Sequence, residues 1–176
     1  MGDDKIKNGI RVKVSPFPKR SADSMLYKAK ATGNYLNSML ALQDALSSGF
    51  DEALILDSEN TVNEGSGENF FIYKDDTLIT PGLTTVLDGI TRRTIIQLAD
   101  DIGIKTIERK IELDEVFECE EAFFTGTAAE VTPIIEINDK KIGDFKPGNI
   151  TKKLQENYFK LITGNYEKHS QWLTLI

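Results

Sequence analysis

The sequence has few of the residues that build metal sites, disulfides or hydrolase triads. Its 176 residues include one cysteine, Cys119, and one histidine, His169. A single cysteine excludes an internal disulfide, and one cysteine with one histidine cannot form a Cys/His zinc site, so no metal is expected. The chain has no G-x-S-x-G motif and no Gly-rich loop ending in G-K-[ST]. A Ser/His/Asp hydrolase and a P-loop nucleotide site are therefore disfavoured.

Long apolar runs and an excess of positive charge are also missing. No stretch of 18 apolar residues occurs, and the opening MGDDKIKNGI lacks the apolar centre of a secretory signal. The net charge is −7, from 21 basic and 28 acidic residues, and the basic residues are scattered. We therefore expect a cytoplasmic globular protein that binds neither nucleic acid nor membrane.

The hydrophobic pattern predicts one α+β unit with a mixed, largely antiparallel sheet and flanking helices. Alternation and turn signals predict two hairpins in series, over 52–65 and 69–81, and a third about Asn138-Asp139. Further strands are predicted at 10–15, 105–111 and 121–127. Helical periodicity predicts helices at 34–48, 89–102, 113–120 and about 150–162.

The stretch AKATGNY places Lys30 shortly before a predicted helix start and Tyr35 within the helix. Lysine attacks an aldehyde only as the neutral amine, which positive potential near a helix N-terminus favours. Tyr35 is positioned to offer a hydroxyl to the same pocket. An ordinary surface lysine is the alternative interpretation of Lys30.

The stretch VNEGSGENFF places Glu64 and Glu68 around two glycines. The pair is compatible with glycosidase-type acid and base chemistry, with exposed turn residues, or with a ligand approached closely by the backbone. In the last case one carboxylate can pair with a cationic ring nitrogen.

Two further stretches, LDGITRR (87–93) and FTGTAAEVTP (124–133), have the features of anion-binding turns. The first opens a helix with free amides and a threonine hydroxyl, and the second leaves a buried strand through small residues. An ordinary helix cap and an ordinary loop explain them equally well.

In this order and spacing, AKATGNYLNSMLA, NEGSGENFF, LDGITRR and FFTGTAAEVTP resemble the large C-terminal domain of branched-chain amino acid aminotransferases. These are fold type IV pyridoxal 5′-phosphate enzymes, and the resemblance runs from about Ile10 to the end. It implies a pseudo-barrel fold, with 1–9 as a tail at the family's domain junction and 10–176 as the cofactor-binding domain.

The resemblance also implies a role for individual residues. Lys30 would be the Schiff-base lysine, Tyr35 would hydrogen-bond the phenolic oxygen of the cofactor, and Glu64 would hold the pyridine nitrogen protonated. The phosphate ligands would be the backbone at Ile90 together with Thr91 and Thr127.

For the substrates, the resemblance implies an amino acid and a 2-oxo acid: leucine, isoleucine or valine exchanging its amino group with 2-oxoglutarate. The amides of Thr127 and Ala128 would face the substrate carboxylate. Family enzymes are homodimers.

Two departures from the family pattern stand out. Family enzymes have a smaller N-terminal domain, carrying a phosphate-binding arginine, before the part matched here, and Asp88 stands where proline is common. We therefore expect the large domain alone. D-amino acid aminotransferase, 4-amino-4-deoxychorismate lyase and a catalytically silent fragment remain the alternatives.

Overall fold

The computed structural model describes residues 2–24, 26 and 28–174, which form one large sheet with flanking helices. Its strands are β1 Ile10–Val14, β2 Glu52–Leu56, β3 Val62–Gly65, β4 Asn69–Lys74, β5 Thr77–Thr80, β6 Lys105–Glu108, β7 Glu121–Gly126, β8 Glu130–Ile137 and β9 Lys140–Lys141. Its helices are α1 Asp3–Asn8, α2 Tyr35–Ser47, α3 Ile90–Asp101, α4 Leu113–Val116 and α5 Asn149–Ile162. None of the helices in these residues is long and apolar enough to cross a membrane.

The sheet closes on itself as a barrel. Its strands follow the order β3-β2-β1-β8-β7-β4, and β4 pairs back with β3. Strands β5 and β6 extend the sheet beyond β4, and β9 pairs with β8. The β1–β2, β1–β8 and β5–β6 pairs are parallel, and the other pairings are antiparallel. The predicted α+β fold, a mixed and largely antiparallel pseudo-barrel with flanking helices, is confirmed.

Alternating side chains divide the core into an inner and an outer part. Phe70 and Phe124 meet edge to face inside the barrel, with ring centroids 5.8 Å apart. Their chain neighbours Phe71 and Phe123 stack at 5.1 Å on the outer face, in the cluster that packs against α3 and α5. Helix α2 covers a third cluster on the outer face of β2. Period-two alternation thus makes both faces of the barrel wall apolar. The inner face fills the barrel, and the outer face packs against the helices.

The predicted elements are present, most with ends within one residue of the prediction, and two of them end three or four residues early. The strand predicted at 105–111 ends at Glu108, and the helix predicted at 113–120 ends at Val116. Within residues 1–9 the chain forms α1, which lies against β8 and is tied to the barrel by a Lys5–Asp51 ion pair of 2.8 Å.

The β3–β4 hairpin opens immediately after its turn. Gly65 N donates to Glu68 O at 2.7 Å, and Glu64 pairs with Asn69. Beyond that pair β3 continues beside β2, whereas β4 continues beside β7 and β5. The segment 85–89 contacts both separated strands, through Thr85 with Asn63 and through Leu87 with Asn69. This opening in the barrel wall holds the candidate site.

Candidate active site

One end of the site is formed by Lys30 and Tyr35. Residues 32–34 form a single 3-10 turn that leads into α2, so Tyr35 begins the helix five residues after the lysine. The Lys30 Nζ donates to the Tyr35 hydroxyl at 2.8 Å. Lys30 is exposed and Tyr35 half-buried. The structure therefore presents an accessible amine beside a phenol.

Glu64 forms the middle of the site. It is buried and makes an ion pair with Lys19 through Oε1, while Oε2 accepts from Leu87 N at 3.2 Å. A carboxylate has about four lone-pair positions, so both oxygens retain capacity for a further donor. Lys19, Lys30, Tyr35 and Glu64 line the same cavity.

The start of α3 forms the other end. Gly89 precedes the helix in extended conformation and has no side chain to cap it, so the first amides of α3 remain open to an external acceptor. Arg92, in the first turn of α3, holds the helix start against the sheet. Its Nη2 donates to Pro81 O at 3.0 Å and to Glu108 Oε2 at 2.6 Å. Its Nη2 therefore bonds to residues of the sheet extension beyond the barrel, at Pro81 and Glu108.

A cavity of about 260 Å³ lies over this helix start. The cavity shares Lys30, Gly67, Asn69 and Leu87 with the Lys30–Glu64 cavity, so the two form one cleft. Its other lining residues come from the turns at 87–91 and 125–127, with Lys28. The Thr125 Oγ1 is buried and has no hydrogen-bond partner among the described residues. The cleft therefore joins a lysine, a carboxylate and a helix start with open amides and nearby hydroxyls.

The structure brings six of the seven predicted site residues to this cleft. Lys30, Tyr35 and Glu64 lie at one end, while Ile90, Thr91 and Thr127 lie at the other. Ile90 is 74% exposed, and its backbone amide is one of the open amides at the start of α3. Ala128 is exposed in the β7–β8 turn next to Thr127 and is not among the described lining residues of the cleft.

Several residues of the cleft carry no distinctive sequence signal. Lys19 lies in an irregular segment 45 residues before its partner Glu64. Asn69 is a buried amide and Leu87 an ordinary apolar residue. Neither stands out in the sequence, because what distinguishes them is the hydrogen bond between them in the fold. The one sequence signal for Asn69 is its distance from Glu64. A four-residue turn over 65–68 makes Asn69, five residues on, the cross-strand partner of Glu64.

Two further carboxylates, Glu68 and Glu52, lie in and next to the cleft. Glu68 lines the cavity beside Glu64, and Glu52 is buried at the start of β2. Burial and the charge of Glu52 raise the pKa of Glu68 to about 7, and burial raises the pKa of Glu52 as well. The described residues contain no cluster of three or more His, Cys, Asp or Glu side chains suited to a metal ion.

Known proteins with similar sequences and structures include several branched-chain aminotransferases. A relative from Pseudomonas aeruginosa, named branched-chain-amino-acid aminotransferase, is 51% identical over 176 residues, which is all of this chain and 57% of the relative. The crystal structure of the Escherichia coli branched-chain amino acid aminotransferase superposes with a TM-score of 0.96 at 36% identity, covering 99% of this chain and 58% of that one.

A third similar protein was solved with a form of the cofactor. It is the T.th. branched-chain amino acid aminotransferase with pyridoxamine 5′-phosphate, which gives a TM-score of 0.95 at 38% identity and covers 98% of this chain and 58% of its own. The chain therefore spans a little over half the length of these relatives. The resemblance seen in the sequence motifs is confirmed over the whole chain.

The family model described as amino-transferase class IV matches residues 2–137, about three quarters of the sequence. With the agreement in fold and the matches along the full chain, this shows that the chain belongs to the class IV aminotransferases.

Proposed function

We propose that this chain holds pyridoxal 5′-phosphate and carries out the chemistry of a branched-chain amino acid aminotransferase. The observation that carries the proposal is the cleft that joins the Lys30–Tyr35 pair to the open start of α3, with Glu64 between them. The names of the similar proteins support it.

The residues present fit the cofactor. A phosphate monoester suits the uncapped amides of α3, the hydroxyls of Thr91 and Thr127, and the nearby cation of Lys28. The partnerless Thr125 hydroxyl lies on the same wall. The Glu64 carboxylate matches a protonated ring nitrogen, and Tyr35 matches an anionic ring oxygen.

Pyridoxal phosphate supplies, when bound, an electron sink that makes the α-proton of an amino acid acidic. In the proposed mechanism Lys30 Nζ is both the nucleophile that attaches the cofactor and, once freed by substrate, the base that moves the α-proton. Tyr35 orients Lys30 through their hydrogen bond. Glu64 holds the proton at the ring nitrogen, and its own position is set by Lys19 and Leu87.

We propose leucine, isoleucine and valine as amino donors, following the names of the relatives, and 2-oxoglutarate as acceptor. The amides of Thr127 and Ala128 are proposed to receive the substrate carboxylate, beside the phosphate site. Residues 10–176 are proposed as the cofactor-binding domain.

We further propose that the enzyme is a cytoplasmic homodimer. The outward side of α2 carries exposed Leu36, Met39 and Leu40 next to the cleft, an apolar surface suited to a second copy. Sedimentation equilibrium of the complete protein tests the dimer, and cell fractionation tests the location.

The cofactor proposal is tested by adding pyridoxal phosphate, recording the visible spectrum, reducing with borohydride and mapping the labelled peptide. Lys30 should carry the label, and leucine added before reduction should shift the spectrum. Lys30→Ala should abolish labelling, whereas Lys28→Ala, an exposed lysine of the same cleft, should retain it with weaker cofactor affinity. Labelling of another lysine while Lys30 stays unmodified would overturn the assignment.

A further inference from the structure

Asn69 occupies the point where the barrel wall closes. It is 5% exposed and is the residue of β4 that pairs with Glu64 of β3 on one side and with Thr125 of β7 on the other. Residues paired across antiparallel strands share a face, so these three side chains form one cross-strand row. Phe71 lies two residues further along β4 and packs in the outer cluster. Because side chains alternate along a strand, the row that contains Asn69 also lies on the outer face of the barrel.

Both polar atoms of the Asn69 side chain meet the turn before α3. The Nδ2 donates to Leu87 O at 2.8 Å. The Oδ1 lies against the Gly89 backbone, where a Cβ on residue 89 would collide with it. The Asn69 side chain therefore packs against this turn, and the close contact is possible only because residue 89 is glycine.

The same turn reaches Glu64 on its other side. Leu87 N donates to Glu64 Oε2 at 3.2 Å, and Gly89 N donates to Leu87 O at 2.9 Å. Leu87 thus connects the carboxylate proposed for the ring nitrogen with the helix start proposed for the phosphate. A shift of this turn moves both groups together.

We propose that Asn69 is the positioning residue that sets the distance and orientation between the two ends of the cofactor site. This inference rests on the proposed function for its ligand, and on the contacts of Leu87 and Gly89 for its mechanism. Asn69 acts through the turn, without itself contacting the reacting atoms. Through Asn69, the position of Glu64 and the position of the start of α3 depend on each other.

The ligand test compares pyridoxal phosphate with pyridoxal, which lacks the phosphate. Asn69→Ala should weaken the binding of both by about tenfold, because losing the buried amide releases the turn from Glu64 as well as from α3. Thr91→Val should weaken pyridoxal phosphate binding and leave pyridoxal binding unchanged. Unaltered pyridoxal affinity in Asn69→Ala would limit Asn69 to the phosphate end and overturn the proposal.

A matched control separates positioning from general loss of stability. Asn63 is also buried and also contacts the 85–89 segment, through Thr85. Asn63→Ala should lower the melting temperature to a similar extent and leave the affinity for both ligands within about twofold, since it removes one buried hydrogen bond away from Leu87 and Gly89.

Two measurements without ligand decide the mechanism independently. Hydrogen exchange of the Leu87 amide should accelerate at least about tenfold in Asn69→Ala, because its bond to Glu64 is no longer supported. Gly89→Ala should destabilise the wild type strongly and cost much less in the Asn69→Ala background, where the clash is absent. Unchanged exchange together with additive effects would refute the positioning role. Failure of the wild type to bind pyridoxal phosphate would instead refute the proposed function, leaving these two results to decide on Asn69.

Discussion

The starts of α3 and α5 are built alike and used differently. Each follows a glycine in extended conformation, Gly89 with φ −70° and ψ 141° and Gly148 with φ −75° and ψ 168°, and neither has a side-chain cap from that residue. At α5 the buried Glu121 carboxylate accepts from Ile150 N at 2.9 Å and from Thr151 N and Oγ1, each at 2.7 Å. At α3 the amides face the cleft.

The difference lies in which side chain packs against the glycine. A Cβ on residue 148 would collide with the Glu121 carboxyl group, whereas a Cβ on residue 89 would meet the neutral amide of Asn69. Positive potential at a helix start is satisfied in one case by an internal anion, which contributes stability, and in the other is left for a ligand. The same local geometry therefore serves folding at α5 and, under the proposed function, ligand binding at α3.

Removing the internal anion gives the largest expected effect. Glu121→Ala leaves the half-buried amide of Ile150 and the buried amide and hydroxyl of Thr151 without an acceptor, so the free energy of unfolding should fall by about 3–5 kcal/mol. Urea denaturation measures it, with Glu120→Ala at an exposed neighbour as control, expected within about 0.5 kcal/mol of wild type. Equal effects of the two substitutions would contradict the role of Glu121.

Supplying an anion at the open start should imitate α5 and exclude the ligand. Thr127→Asp places a carboxylate in the cavity over α3, so affinity for pyridoxal phosphate should fall on the order of a hundredfold through charge repulsion. Titration by fluorescence or absorbance measures the change. Thr127→Asn has the same shape without the charge and should cost at most about tenfold, the worth of one hydroxyl. Comparable losses would show that charge is not the cause.

Glu68 sharpens the comparison between carboxylates. Glu121 accepts from three donors, whereas Glu68 accepts from Gly67 N at 2.9 Å and has its pKa raised from 4.5 to about 7 by burial and by Glu52. The folded state then binds more protons than the unfolded state, so stability present at low pH is lost as pH rises from about 4.5 to about 7.

Glu68→Gln should remove that pH dependence, which amounts to about 1–3 kcal/mol over the window. Unfolding free energies measured at a series of pH values test this, with Glu156→Gln on the exposed surface of α5 as the control that should retain the wild-type slope. A wild-type curve that is flat across this window would rule out the raised pKa.

The smallest effect is expected from Asp88, a carboxylate that lines the cavity at the open helix start. Its side chain is 42% exposed and lies 3.5 Å from Arg93 Nε. Asp88→Asn should strengthen pyridoxal phosphate binding by roughly two- to threefold, and less at high salt, because an exposed charge is well screened. Weaker binding after the substitution would indicate that Asp88 supports the turn and does not oppose the phosphate.

Local patterns predicted the parts of this molecule that depend on neighbouring residues. The strand alternation, the helices and the Lys30–Tyr35 interval follow from periodicity and short spacing, and the structure agrees with them. The Lys19–Glu64 pair and the contacts of Asn69 could not be predicted in this way. They depend on how far β3 and β4 separate and on the irregularity between Ile55 and Leu56, which only the closed barrel determines.

Because β3 and β4 separate, a ligand bound in the cleft adds to the stability of the folded chain. A ligand that engages Glu64 and α3 together bridges two strands that otherwise meet at one residue pair beside the turn. Mass action then adds about 2.7 kcal/mol to the apparent stability when the free ligand is at about a hundred times its dissociation constant. Under the proposed function, cofactor supply in the cell would thereby affect how long the folded chain resists proteolysis.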